Sequence, residues 1–403
     1  MRVILCALAL SLGIVGSGYA DIPLPNQINQ THDGAIINGG NYYNTAGSET
    51  KFINSAGTGI TLNAGQTVHG YEVNNPPNPN RDSNGIYTGN GGSIYIQAPD
   101  QVVRLNGNID VRGIRFDTTS PVNGGNGGNV RIDASYLFQN GNILASGGNG
   151  GNVTMNVGGM TMAGTIDARG GTTGTVGPGG AVFNLAPGRG GNIAINSTGA
   201  IDLKGSIMTD GVADSNIASA TYGNNIVILG HGVNFGGNMS ALGHGAINIS
   251  STGNDADVNI GSGSILRADG ISKSDGGIIT LSSQHDINQN GTLFNNSSPF
   301  ASASGGVITL TASNAINNTG RLQADGSNLG GNITLASSST SNNGVIRSVG
   351  GVKGGDITFT GSNPTGSGVV FSMGSGPGSM GTITAPDPVH STNTLIGVWK
   401  KSP

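Results

Sequence analysis

Asn314-Ala315-Ile316-Asn317-Asn318-Thr319-Gly320-Arg321-Leu322-Gln323-Ala324-Asp325-Gly326, followed closely by Gly330-Gly331-Asn332-Ile333-Thr334-Leu335, holds the plan of this chain in one repeat. In the last piece Ile333 and Leu335 alternate with Thr334, the two-residue period of a strand with one buried face. A weaker pair, Ala315-Ile316, and the piece Gly320-Arg321-Leu322-Gln323-Ala324 have the same character. Gly and Asn separate the pieces and supply the backbone conformations that turns need. One period thus reads as three short strands.

Working outward, the Gly-Gly-x-Ile-x-Leu unit recurs at Gly91 to Ile96, Gly127 to Ile132, Gly150 to Met155 and Gly190 to Ile195. It returns at Gly276 to Leu281, Gly305 to Leu310 and Gly354 to Phe359, with degenerate copies at Gly223 to Ile228 and His244 to Ile249. The second recurring unit follows it, as Gly107-Asn108-Ile109-Asp110-Val111, Gly164-Thr165-Ile166-Asp167-Ala168 and Gly344-Val345-Ile346-Arg347-Ser348. A strand this short cannot bury its apolar face alone, but stacked repeats form a continuous core. No stretch shows a helical stripe, which excludes a βαβ sheet, and Asn-Gly hairpins do not dominate. The predicted fold is all-β: a right-handed parallel β-helix (solenoid) of about ten three-strand coils with an N-terminal cap.

Two columns test that register. Arg112-Gly113, Arg169-Gly170, Asp210-Gly211, Asp269-Gly270 and Asp325-Gly326 close the second unit, and glycine there is expected to permit a positive φ. Asn129, Asn152, Asn192, Asn332 and Asp356 follow the glycine pair and predict amides hydrogen-bonded along the rod.

Residues 1–20 read as a secretory signal peptide: Met1-Arg2, an apolar run from Val3 to Val15, then Gly16-Ser17-Gly18-Tyr19-Ala20 with small residues at the −3 and −1 positions. The mature chain is expected to begin at Asp21, without Cys6, the one cysteine, and so without disulfides or thiol metal ligands. Residues 21–90 hold Tyr42, Tyr43, Phe52 and the Pro- and Asn-rich Asn74 to Asn84; they read as the N-terminal cap and first coils. Residues 91–384 are the β-helix repeats, and 385–403, with Leu395-Ile396-Gly397-Val398-Trp399, a C-terminal tail or cap. Charged residues make up 9% of the chain and the net charge is −4, so there is no basic footprint for nucleic acid.

The repeat quoted first resembles the haemagglutinin repeats of filamentous-haemagglutinin-like exoproteins, and the resemblance covers most of residues 90–370. It implies a bacterial, surface-exposed adhesin of two-partner secretion, exported through a separate outer-membrane barrel. Asn78-Pro79-Asn80, ahead of Asn84-Gly85-Ile86, is a broken form of that family's secretion-domain motif. Residues 300–403 lack the aromatic girdles and alternating strands of about ten residues that a membrane barrel of the chain's own would need.

Chemistry is sparse, and no catalytic, cofactor or metal residue is assigned. Asp255 and Asp257 are the one close acidic pair and read as a solvated loop. Gly230-His231-Gly232 and Gly243-His244-Gly245 read as turn histidines, because a zinc site needs three or four ligands. Gly124-Gly125-Asn126-Gly127-Gly128 lacks the lysine of a phosphate loop.

One surface array stands out. Thr154, Thr280, Thr309, Thr334 and Thr358 take the same outward slot. Such an array suits ordered water or docking, although threonine is also simply favoured on exposed strands. The expected function is therefore attachment or extracellular-matrix assembly by a secreted or cell-surface protein. Its partners would be a host or neighbouring cell surface, glycans or copies of itself. A self-assembling filament subunit and, less well supported, a polysaccharide-degrading β-helix enzyme are the alternatives.

Overall fold

The computed structural model describes residues 31–45, 47–73, 88–115, 125–176, 182–211, 223–271, 273–299, 302–376, 378–387 and 391–402. The signal peptide, Cys6 and the Asn74 to Asn84 segment with its Asn-Pro-Asn motif lie outside the described residues.

The chain folds as an all-β parallel β-helix. A representative coil has a first strand Ile278–Ser283, a second Ile287–Gln289 and a third Thr292–Phe294. The next coil repeats them as Val307–Ala312, Ala315–Asn318 and Arg321–Gln323. Pairing is parallel and in register, with Ile279 beside Ile308, Ile287 beside Ile316 and Leu293 beside Leu322. First and second strands together build a 24-stranded sheet, and the third strands a 13-stranded one. One third strand per coil makes thirteen coils among the described residues, against the ten or so expected, and a rod roughly 60 Å long at strand spacing. The extra coils come from both ends. Thr31–Asp33, Ile36–Ile37 and Gly40–Thr45 form one coil, and Glu49–Ile53, Ile60–Leu62 and Thr67–Val73 the next, neither with a Gly-Gly pair ahead of its first strand. Thr382–Ala385 and Thr394–Ile396 add a coil at the other end.

Alternation explains the interior. Val153, Met155, Ile193, Ile195, Ile333 and Leu335 are fully buried, and each stacks on its counterpart one coil away in a single continuous core. The third strand ends at a corner that holds a small buried residue in several coils: Ala145, Ala168, Ala241, Ala268 and Ala324. The Gly-Gly unit packs directly against that corner. Gly191 N–H donates to the Ala168 carbonyl at 2.6 Å. A Cβ on Gly150 would collide with that same carbonyl oxygen, and one on Gly191 with the Gly151 carbonyl. Backbone touches backbone here, and only glycine fits.

The corner glycines need a correction. Gly113, Gly170, Gly270 and Gly326 do not adopt positive φ. A Cβ on Gly326 would instead meet the Leu329 carbonyl, and one on Gly113 the Gly125 carbonyl, so close approach is the reason for glycine. The acidic corners have a structural role as well. Leu242 N–H donates to Asp210 at 2.8 Å, Asn296 N–H to Asp269 at 2.7 Å and Val349 N–H to Asp325 at 2.9 Å, each one coil onward.

Coil length varies: 23 residues separate Asn129 from Asn152, and 40 separate Asn152 from Asn192. The longer coil carries an antiparallel hairpin, Thr172–Val176 with Val182–Pro187, after its third strand. At the N-terminal end the rings of His32, Tyr42 and Phe52 pack together within 5.3 Å. At the other end Leu395 and Trp399 rest on the core, and Val398–Lys401 pairs with Thr382–Ala385.

Candidate functional surface

Outward residues of the first strands form columns along the rod. Thr280, Thr309, Thr334 and Thr358 lie in register on four successive coils, and Thr384 extends the column by a fifth. Thr154 occupies the same column farther back, separated from Thr280 by Ala194, Val227 and Asn248. Two residues along the strand runs a second column, Ser282, Thr311, Ala336 and Thr360. Hydroxyls therefore repeat at about 4.8 Å along the first column, and about 6.6 Å across from it along the second, where Ala336 interrupts them. These two columns are uncharged over the four coils from Thr280 to Thr358.

Toward the N-terminus the same face changes character. The first column becomes Lys51, Tyr95 and Arg131. The Arg131 guanidinium stacks 4.8 Å from the Tyr95 ring, and Tyr95 Oη donates to Asp133 at 2.5 Å. Burial and that hydrogen bond push the Tyr95 hydroxyl up to about 12.

Amide ladders line both outer surfaces of the large sheet. Asn152 N–H donates to the Asn129 side chain at 2.9 Å, Asn192 N–H to Asn152 at 2.9 Å and Asn225 N–H to Asn192 at 3.3 Å. Asn332 does not continue this ladder, because Ala246, Ile278 and Val307 intervene in its column. A second ladder runs through the second strands: Asn259 Nδ2 donates to Asn234 at 2.8 Å, Asn288 to Asn259 at 2.7 Å and Asn317 to Asn288 at 2.9 Å. Sequence reasoning passed over this one. Its signal was the Asn repeated one residue after the buried Val233, Val258, Ile287 and Ile316.

One corner between first and second strands gathers Asp255, Asp257, His285 and Asp286. His285 Nδ1 lies 2.8 Å from Asp257 Oδ1 and 3.7 Å from Asp286 Oδ2. The Asp257 hydrogen bond, and then the charges of Asp286, Asp257 and Asp255, hold the imidazole pKa above its usual value. Asp255 and Asp257 share a loop but face different partners, since Asp255 lies 3.8 Å from His231 Nε2. The two Gly-His-Gly triplets occupy different corners. His244 has a φ of 65° and its ring lies 3.4 Å from the Asp275 carbonyl. His285 is the residue that sequence reasoning missed: only folding sets it beside Asp257.

Elsewhere Asp325 pairs with Arg347 at 2.7 Å in a shallow depression shared with Val349, Met373 and Ser375. Burial raises the Asp325 carboxyl against the pull of the Val349 N–H and Arg347.

The class of protein this architecture defines is the parallel β-helix. Comparison with family models, with curated proteins and with solved structures returns no match.

Proposed function

We propose that this protein is a secreted, surface-associated structural or adhesive rod that mediates attachment or extracellular-matrix assembly. The observation that carries this reading is the pair of uncharged, hydroxyl-bearing columns running from Thr280 to Thr384, bordered by the exposed Asp356 and by the Asn234 to Asn317 ladder. A face of this kind offers many equivalent hydrogen-bonding groups and little charge repulsion to glycans, cell surfaces or another copy. Weak contacts repeated on successive coils add up through avidity. The resemblance to haemagglutinin repeats supports the same reading and extends it to export through a separate outer-membrane barrel. The test is direct binding of the purified mature chain to cells and to immobilised glycans. Retention that scales with protein density supports it, and no retention at any density overturns it.

A filament subunit is the second reading. Val398–Lys401 pairs with Thr382–Ala385 on one side, and no strand among the described residues pairs with its other side. Such an edge is a template for another chain. Electron microscopy separates the two readings, because end-to-end stacking gives rods longer than one molecule.

A further inference from the structure

Asp257, His285 and Asp286 form the one group of three potential ligand residues found among the described residues, with their donor atoms all within 4.8 Å of one another. From this geometry we propose that the corner binds a divalent transition-metal ion of the zinc class. One nitrogen of His285 and one oxygen each of Asp257 and Asp286 would hold it.

Distances support the assignment. Zinc binds imidazole nitrogen and carboxylate oxygen at about 2.0–2.2 Å, so tetrahedral ligands stand about 3.4 Å apart. The His285 nitrogen stands 2.8 Å from Asp257 and 3.7 Å from Asp286, values on either side of that separation. The two carboxylate oxygens stand within 4.8 Å of each other, so closing on a metal draws them together while the short His285–Asp257 contact opens.

Groups outside the trio orient the carboxylates. Asn314 Nδ2 and Ala315 N–H donate to Asp286 Oδ1 at 2.8 and 2.9 Å, which leaves Oδ2 facing His285. Asn288 Nδ2 donates to Asp257 Oδ2 at 3.3 Å and leaves Oδ1 toward the ring. Outer-shell hydrogen bonds of this kind aim the first ligands in metal sites.

Donor chemistry selects the ion. Imidazole with carboxylates suits zinc, nickel or copper, whereas calcium takes six to eight oxygens. Asp257 belongs to one coil and His285 with Asp286 to the next, so the ion would staple two coils. The side chains of His285 and Asp257 are 40% and 29% exposed, which leaves the remaining coordination positions to water or to an incoming ligand.

Isothermal titration of the untagged, metal-stripped protein with ZnCl2 tests the site, with CaCl2 as comparison. The expected result is one zinc ion per chain and no calcium binding at the same concentrations. His285→Gln, which keeps a donor toward Asp257, and Asp257→Asn should each weaken zinc binding at least tenfold. His244→Ala, at another corner, should leave it unchanged. Circular dichroism on every variant confirms that the β-helix is intact. Absence of zinc binding in the parent protein overturns the proposal, as does unchanged binding in a folded His285→Gln variant.

Discussion

Asn288 Nδ2 donates to Asn259 Oδ1 at 2.7 Å, and Asn259 in turn donates to Asn234, so one amide chain ties consecutive coils on the outer surface. Asn288 also accepts from Asn317 and reaches Asp257, so removing it disturbs three contacts. Asn288→Ala should cost about 1 kcal/mol. Urea unfolding measures the loss, and hydrogen exchange should locate it in the coils on either side of Asn288.

Glycines at the inner corner tolerate no side chain. Gly191→Ala drives a methyl group into the Gly151 carbonyl and should destabilise the protein by about 1–3 kcal/mol. Gly34 has nothing within 4 Å of its would-be Cβ and no positive φ. Gly34→Ala should therefore change stability by less than about 0.5 kcal/mol. Paired urea melts of the two variants read the difference.

The core carries a buried polar column near its C-terminal end. Asn318 Nδ2 donates to Asn342 at 2.7 Å, and Asn342 Nδ2 donates to Asn393 at 2.6 Å, with Asn318 and Asn342 fully buried. Asn342→Ala strands both neighbours and should cost about 1–3 kcal/mol, measured as a lower urea midpoint.

Tyr95 gives the pH prediction. Its pKa rises from 10.0 to about 12 through burial and the hydrogen bond to Asp133. A raised folded-state pKa means that the unfolded chain loses this proton first. The stabilisation from Tyr95 is whole below pH 10 and drains away as the pH climbs toward 12. Burial raises Tyr42 as well, so ultraviolet titration should show late-ionising tyrosine, and Tyr95→Phe should remove the part that titrates near 12.

Much of the fold was legible because parallel stacking forces one pattern on every coil. Gly-Gly before alternating Ile and Leu is that pattern, and the glycines are needed where coils touch backbone to backbone. Coil number was less legible. Residues 31–73 stack as coils with Phe52, Ile60 and Leu62 inside, but their one glycine pair, Gly39-Gly40, precedes a third strand and not a first. The reason for the corner glycines was also misread, since close approach and positive φ select the same residue. The threonine column could be read because its members share one slot after the glycine pair. The His285 corner could not. His285 and Asp257 are 28 residues apart and meet only because the loop at Asp255 aligns with the next coil's turn.

The central claim is that the uncharged threonine face makes the attachment. Thr309 and Thr358 lie on alternate coils of that face and are partly exposed, so lysine in their place can extend into water without disturbing the core. The decisive measurement is cell and glycan retention of the Thr309→Lys/Thr358→Lys variant against the parent, at equal density and with matched circular dichroism. The account predicts at least a tenfold loss of retention with the fold unchanged. Equal retention by the folded variant would contradict it.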